Sequence, residues 1–182
     1  MRRTRDSERR RAAGESWERQ GLADDVRRQR SPRAGDRAPP SGLDDASGAV
    51  VTLSGALQRG PVVLAFVGSR HTFEADRALG RWAARIAEAG ASLLVLSPTF
   101  PTDGAVLPGA AVLHDAGSRV AAAYGLFGDG PASITPMPAT FVISQNAQIA
   151  MSLTEASFGD EFVAVNILSA LAALRRSTPA TP

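Results

Sequence analysis

The sequence predicts an α/β domain, a central mixed β-sheet flanked by helices, preceded by an Arg-rich arm that is disordered or loosely helical. Three observations lead there. Two apolar runs, Val62–Val67 and Ser92–Leu96, are bounded by glycine or proline and have the length of strands buried on both faces. Between them, the stretch from Thr72 to Ala89 changes to an apolar period near 3.6 residues. Closer to the C-terminus, two strand-like segments are separated by only a few polar residues, which adds an antiparallel pair to the parallel units.

The chain has 182 residues, 44% of them apolar. That suffices for one domain, because at about 150 residues roughly 68–70% of the unfolded surface becomes buried. Cysteine is absent, which excludes disulfides and any cysteine-ligated zinc. The basic start, MRRTRDSERRR, is not followed by the apolar stretch that a secretory signal needs. No apolar run approaches the length required to span a bilayer. The expectation is a soluble cytoplasmic protein.

The first 37 residues hold 12 Arg against 7 acidic residues, a balance of +5, while the other 145 hold 8 against 11, a balance of −3. Lysine is absent throughout. Residues 1–34 form an arm too polar to offset its ordering entropy by burial. Trp17, Leu22 and Val26 offer a weak helical stripe for docking on the body. Acidic residues at Asp6, Glu8, Glu15, Glu18, Asp24 and Asp25 dilute the arm's positive field, which argues against a nucleic-acid site.

A folded domain is expected over 35–176, with a loose tail at 177–182. It opens on the turn-rich Gly35–Pro40. Val50–Leu53 reads as a short strand, Ser54–Gln58 as a turn or short helix, and Val62–Val67 as the central strand. The helix from Thr72 to Ala89 carries Phe73, Leu79, Trp82, Ala83, Ile86 and Ala87 on one stripe. Thr72 suits its N-cap, with Glu74 and Asp76 in the first turn facing the positive end of the dipole. Gly90 stands where a C-terminal cap glycine belongs. Ser92–Leu96 is the next strand, followed by a proline-containing loop to Pro108. Ala111–His114 is another strand, and Ser118–Tyr124 a short helix ending at Gly125. Ala139–Ile143 and Ala147–Leu153 form the late pair, turning at Gln145 and Asn146. Asp160 caps a last helix reaching about Leu174. This order matches the thioredoxin architecture.

Several segments resemble the peroxiredoxins, the alkyl hydroperoxide reductase/thiol-specific antioxidant family. The opening GDRAPP with LDDASGAVVTLSGAL, the strand RGPVVLAFV, the segment VLHDAGSRVAAAYGL and the strand PATFVIS resemble family segments in the right order over about residues 35–175. In FVGSRHTFEADRAL, from Phe66 to Leu79, the family carries Pro-x-x-x-Thr/Ser-x-x-Cys. Laid on without gaps, its proline falls on Gly68, its threonine on Thr72 and its peroxidatic cysteine on Ala75. The family's active-site arginine falls on Pro138, where many thioredoxin-like relatives have a cis-proline. By that resemblance the Met137–Pro138 bond is expected to be cis. The resemblance therefore implies a degenerate peroxide pocket of Gly68, His71, Thr72, Ala75 and Pro138, with His71 at its mouth.

The chemistry explains the weight of that loss. A peroxidatic thiolate is stabilised by a helix N-terminus, a hydroxyl donor and a guanidinium. It attacks peroxide and becomes a sulfenic acid, which a second thiol reduces. Ala75 has neither nucleophile nor redox states. The remaining polar residues read more simply as structural. Thr72 is first a helix cap and then a remnant hydroxyl, while His71 is a loop histidine able to titrate. His114 and Asp115 end a strand, and two histidines without metal spacing imply no metal site. Ser69 lies outside a GxSxG elbow. Gly125–Gly130, GLFGDG, lacks the lysine of a phosphate loop.

The resulting expectation is a peroxiredoxin-like domain without catalysis, kept for binding or regulation. It implies no cofactor, no membrane contact, and a homo-oligomer or protein partner, as family resemblance suggests. The alternatives are an antioxidant oxidoreductase that borrows a partner's thiol or a cofactor, and a structural accessory domain whose arm binds another macromolecule.

Overall fold

The computed structural model describes residues 30–45, 47–67, 73–98, 109–127, 136–154 and 161–177. Trp17, Leu22, Val26, the caps at Thr72 and Asp160, and most of the two long loops lie outside the described residues. The elements run β1 (Gly42–Asp44), β2 (Val50–Thr52), α1 (Leu53–Leu57), β3 (Val62–Phe66), α2 (Phe73–Glu88), β4 (Ser92–Ser97) and β5 (Ala110–His114). A 3₁₀ turn at Ala116–Ser118 then leads into α3 (Arg119–Ala123), β6 (Ala139–Ile143), β7 (Ile149–Thr154) and α4 (Glu161–Ser177).

The main sheet has the order β5-β4-β3-β6-β7. β3, β4 and β5 are parallel, and β6 and β7 add the antiparallel side. β3 and β6 are buried along their whole length, as central strands must be. Alternation of side chains divides the interior into two cores. Val63, Ala65, Val95 and Val142 meet Ala83 and Ile86 of α2 and Val163, Ile167 and Leu171 of α4. Leu64, Phe66, Phe141 and Ile143 meet Leu53 and Leu57 of α1, Val120 and Ala121 of α3, and Tyr124.

Two glycines end helices as their positions predict. After α2, Gly90 takes φ +71°, its N–H donates to Ala87 O (2.8 Å), and Ala91 N–H donates to Ile86 O (3.1 Å). After α3, Gly125 takes φ +61°, with matching bonds from Gly125 to Ala122 O (2.9 Å) and from Leu126 to Ala121 O (3.0 Å). Both are Schellman closures, where glycine avoids the steric cost of the left-handed region.

The hairpin of β1 and β2 was not foreseen; only its second strand was. Its turn is organised by one side chain. Asp45 Oδ1 accepts from Ser47 Oγ (2.6 Å), Ser47 N–H (2.8 Å) and Ala49 N–H (3.0 Å). A bridge from Asp45 to Leu113 lays the hairpin beside the edge strand β5. Chiefly the Ser47 hydroxyl, then the backbone donors, hold the Asp45 carboxyl below its ordinary value. A depressed folded-state pKa stabilises above the unfolded value and is lost as pH falls through the folded one. Asp45→Asn keeps the acceptor and removes the charge. Its Tm deficit relative to the native chain is therefore expected above about pH 5 and should close toward pH 2, as followed by thermal melts across that range. A pH-independent deficit would contradict this account of the turn.

The late turn is longer than expected. Ala147 takes φ +61°, its N–H donates to Ser144 O (2.8 Å), and Ser144 N–H donates to Gln148 O (2.9 Å), so β7 begins at Ile149 rather than Ala147. This is a type I turn closed by a left-handed residue. The Ser144 hydroxyl also lies within hydrogen-bonding reach of Asn146 Oδ1 and of Gln148 O (2.9 Å), sharing its one proton between them, which fixes the loop.

Candidate functional site

Parallel pairing brings the C-terminal ends of β3, β4 and β5 to one end of the sheet, where α/β folds place ligand sites. β3 ends at Phe66, and Val67 N–H donates across to Leu96 O (3.0 Å). The chain re-enters regular structure as α2, and Ala75 is its third residue. β6 starts at this same end, since Ala139 pairs with Phe66. Pro138, half-buried, thus stands one step beyond the β3–β6 ladder, at the end of the sheet where α2 begins. Of the five residues expected to form the pocket, the structure places Ala75 and Pro138 at one sheet end. Gly68, His71 and Thr72 lie outside the described residues, as does Ser69.

One expectation is corrected here. No cis peptide occurs among the described residues, so the Met137–Pro138 bond is trans. Trans is the intrinsic preference of such bonds by about 0.5–1 kcal/mol. The local hydrogen bonding accommodates it, with Met137 N–H donating to Leu126 O at 2.7 Å before β6 begins.

The floor beneath this end is aromatic. Phe66, Tyr124 and Phe141 form a closed trio with ring centroids 4.9–5.9 Å apart, tilted or edge-on as ring quadrupoles prefer. Tyr124 is fully buried, and its hydroxyl donates to Pro39 O (3.2 Å), tying the opening segment to α3. Burial pushes the Tyr124 phenol above its ordinary range, so it remains a neutral donor. On the opposite face of the sheet from the trio, Thr140 of β6 is buried in register with Ala65.

The ends of β4 and β5 supply the polar residues. Asp115, 3% exposed, accepts from Val120 N–H (3.1 Å) and Ala121 N–H (2.9 Å), satisfying the first donors of α3. Its own N–H donates to Ser97 O (2.9 Å), and its carbonyl accepts from Ser118 N–H (2.8 Å). Asp115 is thus a structural anchor, a role the sequence reading had not assigned beyond ending the strand. The signal was present: an aspartate followed within a few residues by a short apolar helix is a capping pattern. His114 Nε2 lies 3.1 Å from Pro98 O. Among the described residues, no group of three or more His, Cys, Asp or Glu could hold a metal ion. No helix among them is long and apolar enough to cross a membrane.

An α/β sheet of this order, with a helix head after the first central strand and a proline before the antiparallel partner, defines a thioredoxin-like fold. More narrowly, the AhpC/TSA family model matches residues 34–152, and the chain belongs to that family. No curated protein sequence matches it. Similar solved structures include peroxidoxin BcpB from Mycobacterium tuberculosis, 25% identical over 80% of this chain and 98% of that one (TM-score 0.61). Mycobacterium tuberculosis AhpC is 18% identical, covering 83% and 97% (TM-score 0.62). A putative thiol:disulfide interchange protein DsbE from Chlorobium tepidum is 23% identical, covering 78% and 99% (TM-score 0.58). The last two share the fold. Unlike a thiol enzyme, this chain has no cysteine at any position.

Proposed function

We propose that this protein is a non-catalytic redoxin, a peroxiredoxin-family domain retained for binding or regulation. One observation carries the reading: the chain has no cysteine, and the position that resembles the peroxidatic site is Ala75, in the first turn of α2. Peroxide reduction by a redoxin requires a thiolate whose sulfur is oxidised and then reduced. A methyl group supplies no such step. Pro138 likewise presents no guanidinium where the family's arginine is expected, so the charge that would favour a thiolate is missing too. What remains at this position is the head of α2, whose first-turn backbone N–H groups have no thiolate to stabilise.

Purified protein is expected to give no thiol titre and no peroxide consumption with dithiothreitol or a thioredoxin as reductant. Turnover above that of heat-denatured protein would overturn the reading. Ala75→Cys is expected to gain one titratable thiol per chain yet remain a poor peroxidase. Loss of one stabilising donor typically lowers turnover by about 10²–10³-fold, and here the guanidinium is lost entirely. Stopped-flow peroxide reduction by the variant checks this; rates typical of efficient thiol peroxidases would show that Pro138 is no handicap.

A further inference from the structure

We propose that the uncharged outer face of α4 is the docking site of the chain's own N-terminal segment, residues 17–26, through Trp17, Leu22 and Val26. From Phe162 to Leu174 the helix contains no charged residue. Its inner side fills the core shared with α2, through Val163, Ile167 and Leu171. Its outer side presents Val165, Ser169 and Ala172, at i, i+4 and i+7, with Val165 54% exposed. A helix that is uncharged on both sides is usually covered on both.

The path of the chain favours this occupant. Gly35 N–H donates to Ile149 O (2.8 Å), and Ile149 N–H donates to Asp36 O (2.9 Å), so the opening segment runs antiparallel to the edge strand β7. Continued backward, that direction takes Arg30 toward the Thr154 end of β7. There residues Arg30–Ala34 and β7 enclose an open groove of about 440 Å³. Ala150 and Met151 line this groove and also pack into the core under α4. The groove and the helix layer are therefore contiguous. An extended chain covers about 3.3–3.6 Å per residue, so Val26 lies within about 14 Å of Arg30 and Leu22 within about 29 Å. A 17-residue helix is about 25 Å long. The segment reaches the whole face.

Size disfavours a second copy. A helix face about 25 Å long and about 10 Å wide offers roughly 250 Å², whereas a stable dimer buries about 800 Å² per partner. A tethered segment gains from its high effective concentration and needs far less area. Ser169 and Ala172 are small enough to let a tryptophan ring lie close to the helix.

Trp17 is its own probe. Its contribution to fluorescence is obtained by subtracting the Trp17→Phe variant, which leaves Trp82 as the remaining tryptophan. In the full chain that contribution is expected to be blue-shifted and less quenched by acrylamide than in a synthetic peptide of residues 1–29. Val165→Glu and Ala172→Glu, at solvent-facing positions and matching the net negative charge of residues 17–26 (Glu18, Asp24 and Asp25 against Arg19), should return it to the peptide value with unchanged far-UV circular dichroism. Emission equal to the peptide's in the native chain would overturn the proposal. So would a blue shift that survives both glutamate variants. Concentration-dependent association abolished by Val165→Glu, with Trp17 unaffected, would assign the face to a second copy instead.

Discussion

Phe141→Ala is expected to destabilise the domain by about 3–5 kcal/mol, the usual cost of truncating a fully buried phenylalanine. Phe141 is 0% exposed, lies on the buried strand β6, and contacts both other rings of the trio. Its removal forfeits transfer free energy and leaves a cavity that Phe66 and Tyr124 cannot close without moving β3 or α3. Folded domains hold only about 5–15 kcal/mol in total, so this single change consumes a large share. In a chain of this size, the loss corresponds to a fall in Tm of about 6–20 °C. Tyr124→Phe is the control, because it keeps the ring and removes only the bond to Pro39 O. Its expected cost is about 0.5–1.5 kcal/mol. Urea unfolding of both variants checks the ranking, and near-equal losses would mean that the hydroxyl, rather than the rings, holds the floor together.

The same residues show how much could be read without coordinates. Val62–Val67 and Ala139–Ile143 announced themselves because burial on both faces forces uninterrupted apolar composition. Gly90 and Gly125 marked helix ends because few other residues accept that backbone conformation cheaply. β1 was illegible for the opposite reason. Gly42–Asp44 is short, has one large apolar residue, and exists through pairing with Val50–Thr52 and the Asp45 turn. Local propensity carries little of that. The extra length of the late turn was hidden as well, since Ala147 is not a residue that advertises a left-handed conformation. At the candidate site, the helix that became α2 was legible from its period, the choice of Ala75 within it came from the family resemblance, and the absence of a thiol came from composition alone. The trans bond before Pro138 was not, because X–Pro geometry is decided by the packing around it.

The opposite end of the sheet yields the second large effect, at a site remote from Ala75. Gly60 has φ +154°, and a methyl group built there would lie 2.5 Å from the Gly90 carbonyl oxygen. That oxygen belongs to the backbone and cannot swing aside. The two glycines meet where the chain turns into β3 and β4, beside the bond from Ser92 N–H to Pro61 O (3.0 Å). Moving either loop would shift the register in which Val62 pairs with Ser92. Gly60→Ala is therefore expected to cost about 1–3 kcal/mol in backbone strain and about 1–3 kcal/mol more from overpacking. Gly90→Ala should be milder, at about 1–2 kcal/mol. Its left-handed φ of +71° is strained, but the new methyl would meet only Arg175 Nη2 at 3.3 Å. That guanidinium donates to Glu88 O (2.9 Å) and sits at the end of a flexible side chain able to yield. Parallel denaturation curves decide the matter: a Gly60→Ala loss no larger than that of Gly90→Ala would mean that the two turns separate easily, and that the approach of β3 to β4 is set by their side chains rather than by this backbone contact.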